Sequence, residues 1–166
     1  MILGMSTSTF TLIHVLISLI GIGSGLVALY GLLNGKLLGG WTPLFMVSTV
    51  LTSVTGFLFP FEHLLPSHKV GILSLIVLAI AIAALYGFHL AGKWRATYVI
   101  TAVIALYLNC FVAVVQSFLK VPALHAMAPN GNEPPFLVAQ TIVLVIFVVL
   151  GVFANKRFRG IPALAT

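Results

Sequence analysis

The sequence predicts an all-α fold, a polytopic transmembrane bundle of five spans, and three observations carry that prediction. The chain of 166 residues is 61% hydrophobic and only 6% charged, so a folded monomer in water would lack the solvated groups that a soluble surface needs. Its apolar residues gather into five runs, each of a length that crosses about 30 Å of hydrocarbon at about 1.5 Å per helical residue. Its eight basic and two acidic residues fall between those runs or at the edge of one, and they are sorted by side. In lipid an apolar run must be helical, because only a helix satisfies its backbone hydrogen bonds from within. The whole chain, 1–166, reads as one transmembrane domain with no soluble catalytic domain left over.

The first span is expected at 10–33. The stretch before it, MILGMSTSTF, lacks a basic segment, and the run is longer than a signal-peptide core, so a retained span is expected. Asn34-Gly35-Lys36 and Gly39-Gly40 end it. The second span, 42–60, closes at Pro60; Pro66 follows, and Ser67 is the expected N-cap of the third span, 69–91. Gly92-Lys93 separates this from the fourth span, 96–119. A loop over 121–134, with Pro122, Pro129 and Pro134 around Asn130-Gly131-Asn132, leads into the fifth span, 135–154.

With five spans, Lys36, Lys93, Arg95, Lys156, Arg157 and Arg159 share one face, while Lys69, Lys120, Glu62 and Glu133 share the other. The positive-inside rule then makes the C-terminus cytoplasmic and the N-terminus periplasmic. Trp41 and Trp94 fall at the cytoplasmic boundary, where indole favours the headgroup region. The net charge of +6 therefore reads as topology and headgroup contact, with no nucleic-acid partner implied. The expected partners are the lipid bilayer and either a second copy or another membrane protein.

The side chains able to carry chemistry crowd the outer side. His63 and His68 lie in the second loop, His125 in the fourth, and His14 about a turn and a half into the first span. An ionisable group inside an apolar run costs roughly 2 kcal/mol or more, so His14 calls for a partner or a purpose. On a helical wheel His14, Ser18, Gly21 and Gly25 share one face, which suits either a pocket or the close packing of another helix. Asn109, Ala113, Gln116 and Lys120 form a polar stripe on the fourth span, readable as interhelical glue or as a ligand path. The Ser and Thr residues of the second span are weak signals, since such hydroxyls bond back to their own helix. His89 reads as interfacial, and Cys110, the single cysteine, as packing.

The expected cofactor-binding set is His14, His68, Asn109, Gln116 and Lys120, with haem b or a quinone as the ligand. His14 and His68 are the pair whose depths match for haem; His89, near the inner side, cannot pair with His14 within one subunit. A transition metal would draw on Glu62, His63, His68 and His125, whose spacing follows no known ligand pattern because Pro66 interrupts it. A Ser-His-Asp triad is excluded, as the chain has no Asp, and no phosphate-binding glycine loop is present. A non-catalytic accessory or assembly protein is the alternative function, and a small transporter or channel is the third. The sequence carries no intramembrane acid and no inverted repeat in support of that third reading.

The strings FPFEHLLPSHKVGILSL (59–75), LYLNCFVAVVQSFLKVPALHA (106–126) and EPPF (133–136) resemble a family of small bacterial inner-membrane proteins to which no activity is assigned. The resemblance covers nearly the whole chain. It implies a multi-pass protein of the bacterial cytoplasmic membrane and transfers no site.

Overall fold

Apolar runs bounded by Pro, Gly and Asn fold as six α-helices in the computed structural model, which describes residues 1–60 and 66–160. They are α1 (Thr7–Leu33), α2 (Trp41–Gly56), α3 (Pro66–Ile82), α4 (Lys93–Lys120), α5 (Pro122–Met127) and α6 (Pro134–Arg157). Among the described residues four helices are long and apolar enough to cross a membrane: α1, α3 with the π-helical turn that extends it to Gly87, α4 and α6. The described residues are thus all-helical in class, with four membrane-length helices. At 16 residues α2 spans about 24 Å and is shorter than the 42–60 expected. Helix α2 ends at Gly56, where Phe57 and Leu58 turn back onto the carbonyls of Val54 and Thr55 ahead of Pro60.

Other boundaries moved for identifiable reasons. Helix α1 starts three residues earlier than expected, because the Ser6 hydroxyl accepts the Thr9 N–H at 3.1 Å and caps it. Ser67 is not the cap of α3: Pro66 opens the helix, where its fixed φ and missing N–H cost nothing. The third span stops at Gly87 instead of 91, as the π turn Ala83–Gly87 leads into His89 and Leu90, both left-handed at φ 50° and 59°. Phe88 lies stacked on Trp94 across this turn, with ring centroids 3.8 Å apart. The loop expected over 121–134 contains α5, which Pro122 initiates.

Helices α1 to α4 close a ring in which α1 meets α2, α2 meets α3, α3 meets α4 and α4 meets α1; α6 lies against α4 and α1 from outside. This order sets α1 and α3 on a diagonal. The tight core fills one half of the ring: Leu29, Leu32, Phe45, Leu78, Ala81, Tyr98, Val99 and Leu106 are all buried there. These residues come from the C-terminal halves of α1 and α3 and the N-terminal halves of α2 and α4. The other half of the ring, toward Lys120, is where the helices separate.

The turn before α6 is held by its one acid. Glu133 Oε1 accepts from the Asn130 backbone N–H at 3.0 Å and the Asn130 side-chain amide at 2.8 Å, and Oε2 accepts from the Asn132 N–H at 3.1 Å. Desolvation pushes this carboxyl up, but the donors of Asn130 and Asn132 outweigh it and hold the pKa below the usual carboxylate range. A depressed carboxyl stabilises the native turn above its unfolded value, and that contribution disappears as pH falls through the native value. The Asn130 and Asn132 amide resonances are therefore expected to titrate together at a pH below that of an ordinary glutamate, with the titration abolished in Glu133→Gln.

Candidate ligand cavity

The separated half of the ring encloses a cavity of about 590 Å³ between α1, α2, α3 and α4. That volume is in the range of small-molecule sites. His14, His68, Asn109, Gln116 and Lys120 all line it. The helical repeat explains the convergence: Thr11, His14, Ser18 and Ile22 are one face of α1, and Asn109, Ala113, Gln116 and Lys120 are one face of α4. Val15, Leu19, Val70, Val112 and Gly71 supply apolar wall between them. Val15 and Leu19 also carry exposed outer surface, 38% and 57%, so α1 forms the rim of the cavity.

At the mouth, His14 is anchored. Its Nδ1 lies 2.8 Å from the Thr55 hydroxyl, and its ring stands edge-on to Phe59 at 5.3 Å; Phe59 in turn packs edge-on against Phe10 at 5.0 Å. His68, only 5% exposed in the first turns of α3, lies against the Phe57 ring at 5.4 Å. One turn of chain after α2 thus supplies an aromatic contact to each histidine. Phe57, Phe59 and Thr55 were not singled out from the sequence, since nothing local marks a residue as the neighbour of a histidine on another helix.

At the floor, α1 approaches α2 and α4 through bare backbone. A Cβ on Gly21 would stand 3.0 Å from Asn109 Nδ2, 3.2 Å from Thr49 Oγ1 and 3.4 Å from Ser48 Oγ. Ser48, Thr52, Ser53 and Thr55 each donate to a carbonyl of their own helix, as expected of membrane hydroxyls. Thr49 is the exception. Its Oγ1 and the Asn109 Nδ2 are buried with no hydrogen-bond partner, a state that costs about 1–3 kcal/mol per group. Among the described residues Asn109 and Gln116 form no interhelical hydrogen bond. An amide that does bridge helices is Gln140, whose Nε2 donates to the Phe111 carbonyl at 3.1 Å and ties α6 to α4.

The set expected to bind a metal is described only in part, with His68 lining the cavity. His125 lies on α5, exposed and away from the cavity, and Glu62 and His63 fall outside the described residues. Among the described residues no group of three or more His, Cys, Asp or Glu side chains is placed to hold a metal ion. Cys110 is half-buried beside the core of α4, and His89 is exposed at the turn before α4.

The chain matches no protein-family model, no curated protein and no solved structure.

Proposed function

We propose that this chain is a five-span protein of the bacterial inner membrane whose outer-half cavity binds a quinone-type ligand, an oxygen-substituted ring with an apolar tail. The observation that carries this reading is the gathering of His14, His68, Asn109, Gln116 and Lys120 around one cavity whose remaining walls are largely apolar. Polar groups at the mouth and floor with apolar sides between them suit a flat ring bearing oxygens at opposite ends. The exposed rim residues Val15 and Leu19 offer a tail its way into lipid.

In this reading α2 is the fifth span, its 16 helical residues extended to the membrane surface by the chain from Phe57 to Pro60. The six basic residues at the far end of the ring from the cavity mouth support a cytoplasmic C-terminus and a periplasmic N-terminus.

Organic extracts of the purified protein are expected to contain quinone in amounts comparable to protein. His14→Leu and Asn109→Leu, each folded by circular dichroism, are expected to retain about tenfold less, the loss of one hydrogen bond in a site excluded from water. A wild-type extract free of quinone sinks the reading. Loss of folding in both variants with no ligand in the wild type supports the accessory-protein alternative instead.

Haem is a second reading, favoured by two features. His14 Nδ1 is engaged by Thr55, the support that metal-ligating histidines commonly have. The two histidines also project from the diagonal helices α1 and α3. His14 and His68 would hold the iron, and haem would supply one-electron chemistry. A Soret band in protein expressed with adequate haem is the measurement that decides for it.

A further inference from the structure

The hydrogen bonds around Thr55 fix which nitrogen of His14 carries its proton. Thr55 Oγ1 lies 2.6 Å from the Leu51 carbonyl, 3.2 Å from the Thr52 carbonyl and 2.8 Å from His14 Nδ1. A hydroxyl has one proton, and a carbonyl oxygen can only accept. At 2.6 Å, the oxygens of Thr55 and Leu51 would repel unless that proton lay between them, so Thr55 donates to Leu51. It follows that Thr55 accepts from His14, and that the proton of the neutral ring is on Nδ1. Nε2 then holds a lone pair. The ring cannot trade nitrogens cheaply, because a half-turn about the Cβ–Cγ bond would present a carbon to Thr55 and lose the 2.8 Å hydrogen bond.

Resting on the quinone-type reading, we infer that the cavity selects the hydroxyl-bearing hydroquinone over the carbonyl-bearing quinone, with His14 Nε2 as the acceptor that tells them apart. A quinone carbonyl facing Nε2 sets two lone pairs against each other. A hydroquinone hydroxyl donates its proton there, and its oxygen can still accept from a cavity donor such as the Gln116 amide. Apolar walls sharpen the difference, because a mismatched acceptor pair has no water to relieve it. His14 is in this account a ligand-contacting residue, and Thr55 is a positioning residue that acts through the tautomer.

The test uses the full chain in lipid nanodiscs, with a decyl-substituted para-benzoquinone and its hydroquinone, the latter kept reduced under anaerobic conditions. Equilibrium dialysis is expected to show the hydroquinone bound about tenfold more tightly, the worth of one buried hydrogen bond. In Thr55→Val the preference is expected to vanish, because the ring is free to place its proton on Nε2. Nitrogen NMR shifts of His14 in the wild type read the tautomer directly, so the inference stays testable if that variant does not fold. Equal or tighter binding of the quinone, or a neutral His14 protonated on Nε2, overturns the inference and leaves the quinone-type reading standing. Binding of neither compound overturns both.

Discussion

Gly25→Ala is expected to destabilise the protein by about 1–3 kcal/mol, the cost of overpacking a filled core. A Cβ at this position would lie 2.5 Å from Leu106 Cδ1 and 2.8 Å from Phe45 Cδ2, well inside van der Waals contact. In water, alanine in place of glycine inside a helix gains up to about 1 kcal/mol of propensity. Here sterics win, because Leu106 and Phe45 are 1% and 2% exposed and have nowhere to retreat. Thermal unfolding in mild detergent checks the loss. Gly21→Ala is expected to cost less, since its nearest neighbour is the end of the Asn109 side chain at 3.0 Å. An unchanged melting temperature in Gly25→Ala would mean that α1 does not pack on α2 and α4 in this register.

Arg95→Met is expected to cost about 2–3 kcal/mol, as hydrogen bonds to a charged group are the stronger kind. Arg95 projects from the first turn of α4, and its Nη1 donates to the Asn155 carbonyl at 2.9 Å and to the Phe158 carbonyl. Those carbonyls belong to the C-terminal end of α6, where backbone acceptors run out of intrahelical donors and the helix dipole is negative. The same contact holds Phe158, 1% exposed, over Tyr98 at a centroid distance of 6.4 Å. Losing it should free the end of α6, so limited trypsin digestion is expected to cut faster after Lys156, Arg157 and Arg159 than in the wild type. Arg95→Lys is expected to restore only part of the protection, because an ammonium does not reproduce the planar spread of guanidinium donors. Wild-type digestion rates in Arg95→Met would refute the capping role.

Arg95 also marks the limit of charge sorting as a guide. By sequence it counts as one of six basic residues that set orientation, and nothing local says that it also caps a helix 60 residues further on. The polar stripe of α4 shows the same limit. Its spacing places Asn109, Gln116 and Lys120 on one face, yet glue and ligand path are equivalent on a helical wheel. Among the described residues it is Gln140 that bonds between helices, while Asn109 and Gln116 line the cavity. The ends of α2 and α3 fall short of the apolar runs, because apolar content persists through Phe57, Leu58, Phe88 and Leu90 while the backbone turns there, at Gly56 and after the π turn.

By itself the sequence determined that the chain is helical and apolar enough to cross a membrane, and that α1 and α4 each carry one polar face. Both are local properties, fixed by hydropathy and by the repeat of about 3.6 residues per turn. Only the tertiary structure decided that these two faces oppose each other across a cavity, that His14 and His68 belong to it and His125 does not, and that His14 meets Thr55 41 residues away. Those facts depend on which helix packs against which. That order follows from small residues such as Gly25 and large ones such as Leu106 meeting across helices, and no period within a single helix encodes it.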